Sequence, residues 1–141
     1  MFKFLKKLLS SLQLPASQSQ IVRGFEAREK SLKEDFFDAA AIAGSPRGLR
    51  WIRCEWFPEK ALLRDKSNGQ YSLLVAVNIA FEALEGSDME NVAAVSTIRD
   101  ASAVFQWNRG RWETCGRALF NMSPADAAPR LGASYELVRL L

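Results

Sequence analysis

The stretch Tyr71-Ser-Leu-Leu-Val-Ala-Val-Asn-Ile-Ala-Phe81 decides the fold. Tyr71, Leu73, Val75, Val77, Ile79 and Phe81 are all large and apolar, while Ser72, Leu74, Ala76, Asn78 and Ala80 between them are mostly small or polar. Successive side chains of a strand point to opposite faces, so this period of two describes a long β-strand with one face in a core. Just upstream, Asn68-Gly69 separates it from Ala61–Asp65, and that dipeptide is favoured by the tight turns of β-hairpins. A two-residue loop predicts Leu62 opposite Val75 and Arg64 opposite Leu73, both on the apolar face. A slip of one residue would put Leu63 there instead.

Further upstream, Leu49–Phe57 alternates again, with Ile52, Cys54 and Trp56 on one face and Arg53 and Glu55 on the other. Pro58-Glu59-Lys60 is expected to end this strand. From about Ser19 to Ala43 the period changes to that of a helix: Ile21, Phe25, Leu32, Phe36, Ala40 and Ala43 form a stripe, with Val22 and Phe37 beside it. Glu26–Lys30, Glu29–Lys33 and Lys30–Glu34 stand at i,i+4 on its wet side. Gly44 supplies the stop, and Ser45-Pro46-Arg47-Gly48 forms a connector. The run Ala39, Ala40, Ala41 and Ala43 suits close packing against a sheet.

The first thirteen residues read as a short amphipathic helix, with Phe2, Phe4, Leu5, Leu8 and Leu12 against a basic side of Lys3, Lys6 and Lys7. Lysines interrupt its apolar run, which makes it a poor signal peptide. No stretch approaches the ~20 apolar residues that cross a bilayer. Phe2, Lys3, Phe4, Lys6 and Lys7 are therefore candidates for contact with a partner, with the domain itself or with an anionic membrane surface. Pro15-Ala-Ser-Gln-Ser-Gln20 reads as a polar break, dividing an arm, residues 1–14, from a single domain, residues 15–141.

Downstream, Glu82–Asn91 is an acidic loop that lacks the ligand spacing of a calcium-binding loop. Val92–Arg99 is expected to be a strand. Ala101–Trp107 and Arg111–Arg117 form a second hairpin across a three-residue turn, Asn108-Arg109-Gly110, with Trp107 opposite Arg111 and Phe105 opposite Glu113. That register leaves Phe105 and Trp107 on one face, Val104 and Trp112 on the other, a doubly covered arrangement compatible with a second subunit. Ser123-Pro124-Ala125-Asp126 starts a short C-terminal helix: a serine cap, proline at the first position, an acid in the first turn. Tyr135–Leu141 is either a terminal helix or an edge strand. Strands joined by tight turns pair antiparallel. The class is α+β: an antiparallel sheet of about five to six strands, a long N-terminal helix packed on one face, and a short C-terminal helix.

A chain of 141 residues is one domain by size, and 48% apolar with 25% charged residues is ordinary for a folded protein. The net charge of +3 is mild, and Glu82, Glu85, Asp88, Glu90 and Asp100 form an acidic stretch broken only by Arg99. There is no histidine. That excludes Ser-His-Asp and Cys-His catalysis, the H-E-x-x-H zinc site and histidine-based pH switching. Cys54 and Cys115 stand far apart in sequence without metal-ligand spacing; they could pair only if the strands carrying them are neighbours, and buried free thiols of a cytoplasmic protein are the expectation. No pattern points to a metal or a cofactor. Asp35 with Asp38, and Glu55, Asp65, Asp100 and Glu113, are carboxylates that could serve catalysis only at a defined separation, which the sequence does not provide.

The sharpest constellation is the interleaving of arginine and tryptophan. Arg47, Arg50, Trp51, Arg53 and Trp56 lie on one strand and its approach, Trp107, Arg109, Arg111, Trp112 and Arg117 on the last hairpin. Guanidinium groups neutralise phosphates and aromatic faces stack bases, so Arg50, Arg53, Arg109, Arg111, Arg117 and Trp107 are the candidate contacts for a polyanion, a single-stranded nucleic acid or a protein. The plainer role is structural, tryptophan filling the core and arginine covering its rim. The leading expectation is a non-enzymatic interaction module that binds a protein or its own copy. Polyanion binding is the alternative, and a small-molecule or enzymatic site between helix and sheet the third reading.

Overall fold

The alternation at 71–81 is realised as the central strand of the molecule. A computed structural model of the chain describes residues 14–44, 48–83 and 98–141. Its elements are α1 (Leu14–Ala27), α2 (Glu29–Gly44), β1 (Leu49–Asp65), β2 (Tyr71–Ala83), β3 (Ile98–Asn108), β4 (Arg111–Glu113), β5 (Ala118–Phe120), α3 (Pro124–Arg130) and β6 (Tyr135–Leu140). The six strands form one antiparallel sheet in the order β4-β3-β2-β1-β6, with β5 also on the outer side of β3. The class is α+β.

The alternating residues of β2 divide two cores. Leu73, Val75, Val77 and Ile79 are at most 1% exposed and share a cluster with Phe25 of α1, Leu32 and Phe36 of α2, and Phe105 of β3. Phe105 touches both helical phenylalanines, with ring centroids 5.0 Å from Phe25 and 5.9 Å from Phe36. On the other face Leu63, Leu74 and Val104 meet Ala127 and Ala128 of α3. Each large apolar side chain fully buried this way contributes about 1.5–3 kcal/mol, so the larger cluster dominates. No helix of the described residues is long and apolar enough to cross a membrane.

The single long N-terminal helix is corrected to two. The break falls at Arg28, whose N–H turns back to the Phe25 carbonyl at 3.0 Å and whose Nη1 donates to the Trp112 carbonyl at 2.9 Å. One residue of turn barely disturbs a 3.6-residue apolar stripe, so Phe25, Leu32 and Phe36 still read as one helix in sequence. The break lets α1 lie against β4 while α2 packs towards β1, where Glu29 meets Lys60 at 3.8 Å. The expected polar break at 15–20 is also corrected: these residues are helical within α1. Proline in a first turn forfeits a donor that has no helical partner anyway. The segment 1–13 lies outside the described residues.

Pro58 does not end a strand. β1 runs seventeen residues through it, and the pairing with β2 shifts between Trp56 and Lys60 so that the proline sits in an irregularity needing no N–H. A second shift between Trp51 and Arg53 leaves Ile52 out of the ladder and places Trp51 opposite Phe81, on the same side as Cys54 and Trp56.

Both hairpin registers differ from expectation, with opposite consequences. The first turn holds four residues, Lys66 to Gly69: Asp65 N–H donates to Gln70 O at 2.8 Å and Gly69 N–H to Asp65 O at 2.8 Å. The Asp65 carboxylate accepts from the N–H and hydroxyl of Ser67, which holds it below the usual carboxylate range. Leu62 therefore faces Leu73 and Arg64 faces Tyr71, a shift of two that preserves the face. The second turn holds two residues, Arg109 and Gly110, with φ of 54° and 84°, the positive pair of a mirror-image hairpin turn. Trp107 then faces Trp112, a shift of one that moves Trp112 into the main core at 1% exposure. Trp112 is thus not on the Val104 face, and that face is covered by α3.

The strand expected at 92–99 has its last two residues in β3, continuous with 100–108; residues 92–97 and most of the acidic loop lie outside the described residues. The Ser123 hydroxyl accepts from Asp126 N–H at 3.1 Å, as its capping pattern requires. The C-terminal stretch is the edge-strand alternative, β6, antiparallel to β1.

Candidate functional site

The sheet scatters the arginines that the sequence groups. Arg50 is exposed and paired with Glu82 near the end of β2, and Arg53 is exposed two strands in from β3. Arg109 and Arg111 are exposed at the β3–β4 turn, beside the opposite end of β2, where Ser72 faces Gln106. Ten residues of strand separate these ends, roughly 30 Å. Arg117 lies exposed between β4 and β5. Trp107 packs on Trp112 with centroids 5.6 Å apart and lies against α1 at Gly24, so its ring serves the core. Arg47 and the set Phe2, Lys3, Phe4, Lys6 and Lys7 are outside the described residues.

Both cysteines are free thiols. Cys54 is half-buried, and burial pushes its thiol up to about 12. Cys115 is exposed, contrary to the expectation that both would be buried.

The interior between helices and sheet is filled along most of its length. It opens at one end into a cavity of about 220 Å³ between the end of α2 and the sheet, lined by Trp51, Phe81, Phe120 and Arg117 among others and by no carboxylate. A wider depression of about 630 Å³ lies on the other face, where Glu59, Asp100 and Asp126 line a rim with Asn78 and Asn121. Of the carboxylates singled out in sequence only Asp100 reaches it. Among the described residues no three acidic or thiol side chains converge as metal ligands do.

The third concavity arises from the length of β1. β6 occupies its outer side only from Ala61 to Asp65, extended by the reciprocal backbone bonds of Lys60 and Leu141. From Arg50 to Phe57 the outer edge has no strand partner among the described residues. Beside that edge α2 forms a groove of about 390 Å³, lined by Lys30, Lys33, Phe37, Ile52, Cys54 and Trp56 among others. Its wall is held from within: Phe36 contacts Trp56 at 5.5 Å, Phe37 contacts Trp51 at 6.4 Å, and Lys33 Nζ lies 5.2 Å over the Trp56 ring. Lys33 is itself paired with Glu29 at 2.6 Å. Ile52, outside the β1–β2 ladder, is 43% exposed at the mouth.

An open ladder edge presents N–H and C=O groups in alternation, and an apolar groove beside it can select side chains. Sequence reasoning missed the edge because it ended the strand at Pro58. Once β1 is seen to run seventeen residues, the six-residue tail strand is too short to cover it, but that length is not readable from the sequence.

Comparison of the chain with protein-family models, with curated proteins and with solved structures finds no match in any of the three.

Proposed function

We propose that this chain is a non-enzymatic protein-interaction module whose contact surface is the outer edge of β1 from Arg50 to Phe57, together with the groove beneath α2. The observation that carries the reading is the half of β1 that no described strand shares on its outer side, next to a groove whose surface is mostly apolar. An added strand would gain backbone hydrogen bonds from the edge and side-chain discrimination from Ile52, Trp56 and Phe37. The dispersal of Arg50, Arg53, Arg109, Arg111 and Arg117 favours this over a polyanion surface, which gains from charges that lie together. The basic arm, residues 1–13, is a second contact element, for a protein or an anionic membrane. Two free thiols accord with a reducing compartment, and we assign the module to the cytoplasm.

The test is a photo-crosslinking residue, benzoylphenylalanine, placed at Ile52 of the full chain in the cells that make it. Irradiation should give a discrete adduct with a polypeptide, whereas the same residue at exposed Arg130 of α3 gives none. No adduct at Ile52 overturns the reading.

A further inference from the structure

The half of β1 that no described strand covers carries its own complement. Arg53, Cys54, Glu55 and Trp56 continue the ladder with β2 opposite Ala80, Ile79, Asn78 and Val77 without interruption. Arg53 and Glu55 are exposed, alternate with Cys54 and Trp56 along the strand, and form no ion pair with another described residue, although Arg53 also lines the rim of the groove beside α2. Two copies joined edge to edge, with their helices on the same side, are related by a two-fold axis normal to the sheet. Such an axis makes the strands antiparallel and requires one residue to face its own copy. Four residues of the uninterrupted run can take that place. Centring on Arg53 sets arginine against arginine, and centring on Glu55 sets glutamate against glutamate; like charges directly opposite are unfavourable. Centring on Trp56 puts Cys54 against the partner's Pro58, which cannot donate to a ladder. Centring on Cys54 places Arg53 opposite the partner's Glu55 and, by symmetry, Glu55 opposite the partner's Arg53. It also brings exposed Ile52 to the partner's Trp56.

We infer that the occupant of this edge is a second copy of the chain, paired antiparallel through residues 52–56 with Cys54 on the two-fold axis, so that two six-stranded sheets become one. This rests on the interaction reading above and names its partner. The same charges that would repel a misregistered strand then select one register, which is how a specific edge differs from an aggregating one. The seam is short beside a standard interface, so the dimer is a weak one that is favoured by high protein concentration.

Sedimentation equilibrium of the full chain at roughly 100 µM, where a short seam is populated, should give twice the 15.8 kDa chain mass. Arg53→Glu sets two glutamate pairs across the seam and Glu55→Arg sets two arginine pairs; each should weaken association by about tenfold or more. The double variant Arg53→Glu/Glu55→Arg restores both attractions and should recover the dimer. That recovery stays decisive even if one single variant folds poorly, because both sites are exposed and the charge is exchanged within the pair. In a Cys115→Ser background, copper–phenanthroline oxidation should link two copies through Cys54, since directly opposed residues lie within about 4.5–5.5 Å between Cα atoms, inside disulfide reach. A wild-type chain that sediments as monomer, or a dimer indifferent to either charge reversal, overturns the inference. A monomer whose Ile52 adduct contains a different polypeptide defeats self-pairing while the interaction reading stands, and the absence of any adduct defeats both.

Discussion

Replacing Gly116 by alanine tests whether α2 is seated on the sheet as described. Gly116 follows β4, with φ of 83°, and a Cβ built on it falls 2.4 Å from Ala40 N and 2.8 Å from both Ala39 C and Ala40 Cα. These are helix backbone atoms, which cannot swing aside as a side-chain tip can. The left-handed conformation alone costs an alanine about 1–2 kcal/mol, and forcing an extra methyl into packed atoms adds about 1–3 kcal/mol. The sum is about 2–5 kcal/mol, a large part of the ~5–15 kcal/mol that holds a typical domain. Gly110 supplies the internal control: its φ is 84°, but nothing lies within 4 Å of its Cβ position. Gly110→Ala should therefore cost only the conformational ~1–2 kcal/mol, and the difference between the two variants isolates the close approach. Urea titration followed by tryptophan emission is the assay, since Trp51, Trp56, Trp107 and Trp112 all belong to or pack on the core between helices and sheet. If Gly116→Ala lies within about 0.5 kcal/mol of Gly110→Ala, below the least that overpacking costs, α2 does not rest on that turn.

Trp112→Phe removes the indole N–H that donates to Ile21 O at 2.8 Å, and it shrinks a ring packed edge-on against Phe25 at 5.7 Å. The lost hydrogen bond costs about 1 kcal/mol and the void a further ~1 kcal/mol or more; a loss below about 0.5 kcal/mol by urea titration would sever the proposed tie between β4 and α1. For the thiols, iodoacetamide at pH 8 with mass-spectrometric readout should modify exposed Cys115 well before half-buried Cys54, and equal rates would refute the burial of Cys54. Because the folded value of Cys54 is raised from 9.0 to about 12, its neutral form stabilises the fold fully below pH 9, and that contribution is lost as pH rises towards 12. Cys54→Ala should accordingly flatten the alkaline decline in Tm, and an unchanged slope would contradict this.

Strand and helix periodicity were legible because each depends on only a few neighbouring residues. Val75 and Val77 could be assigned to one face of β2 without knowing what covers them, and the Ser123–Asp126 cap needed nothing beyond four residues. The two hairpins mark where that local logic stops. A turn one residue shorter than expected moved Trp112 across the sheet, whereas a turn two residues longer left Leu62 where it was. Parity alone separates these outcomes, and it depends on how the loops close: on the Asp65–Ser67 hydrogen bonds in one case, on Arg109 and Gly110 both at positive φ in the other. The grouping of arginines and tryptophans in sequence was similarly uninformative about a site, because their strands are ordered by pairing and not by chain position.

From the sequence alone came the α+β class, the central strand with its buried face, the short capped helix near the C-terminus, and the exclusion of histidine chemistry. These follow from side-chain period and composition, which are properties of the chain in any surroundings. The tertiary structure alone decided the division of the helix at Arg28, the passage of β1 through Pro58, the face on which Trp112 lies, and the edge from Arg50 to Phe57 that no described strand covers. Each depends on contacts between segments far apart in the chain: the Trp112 carbonyl that holds Arg28, the β2 ladder that resumes beyond the proline, and the short β6 that pairs only with the last part of β1.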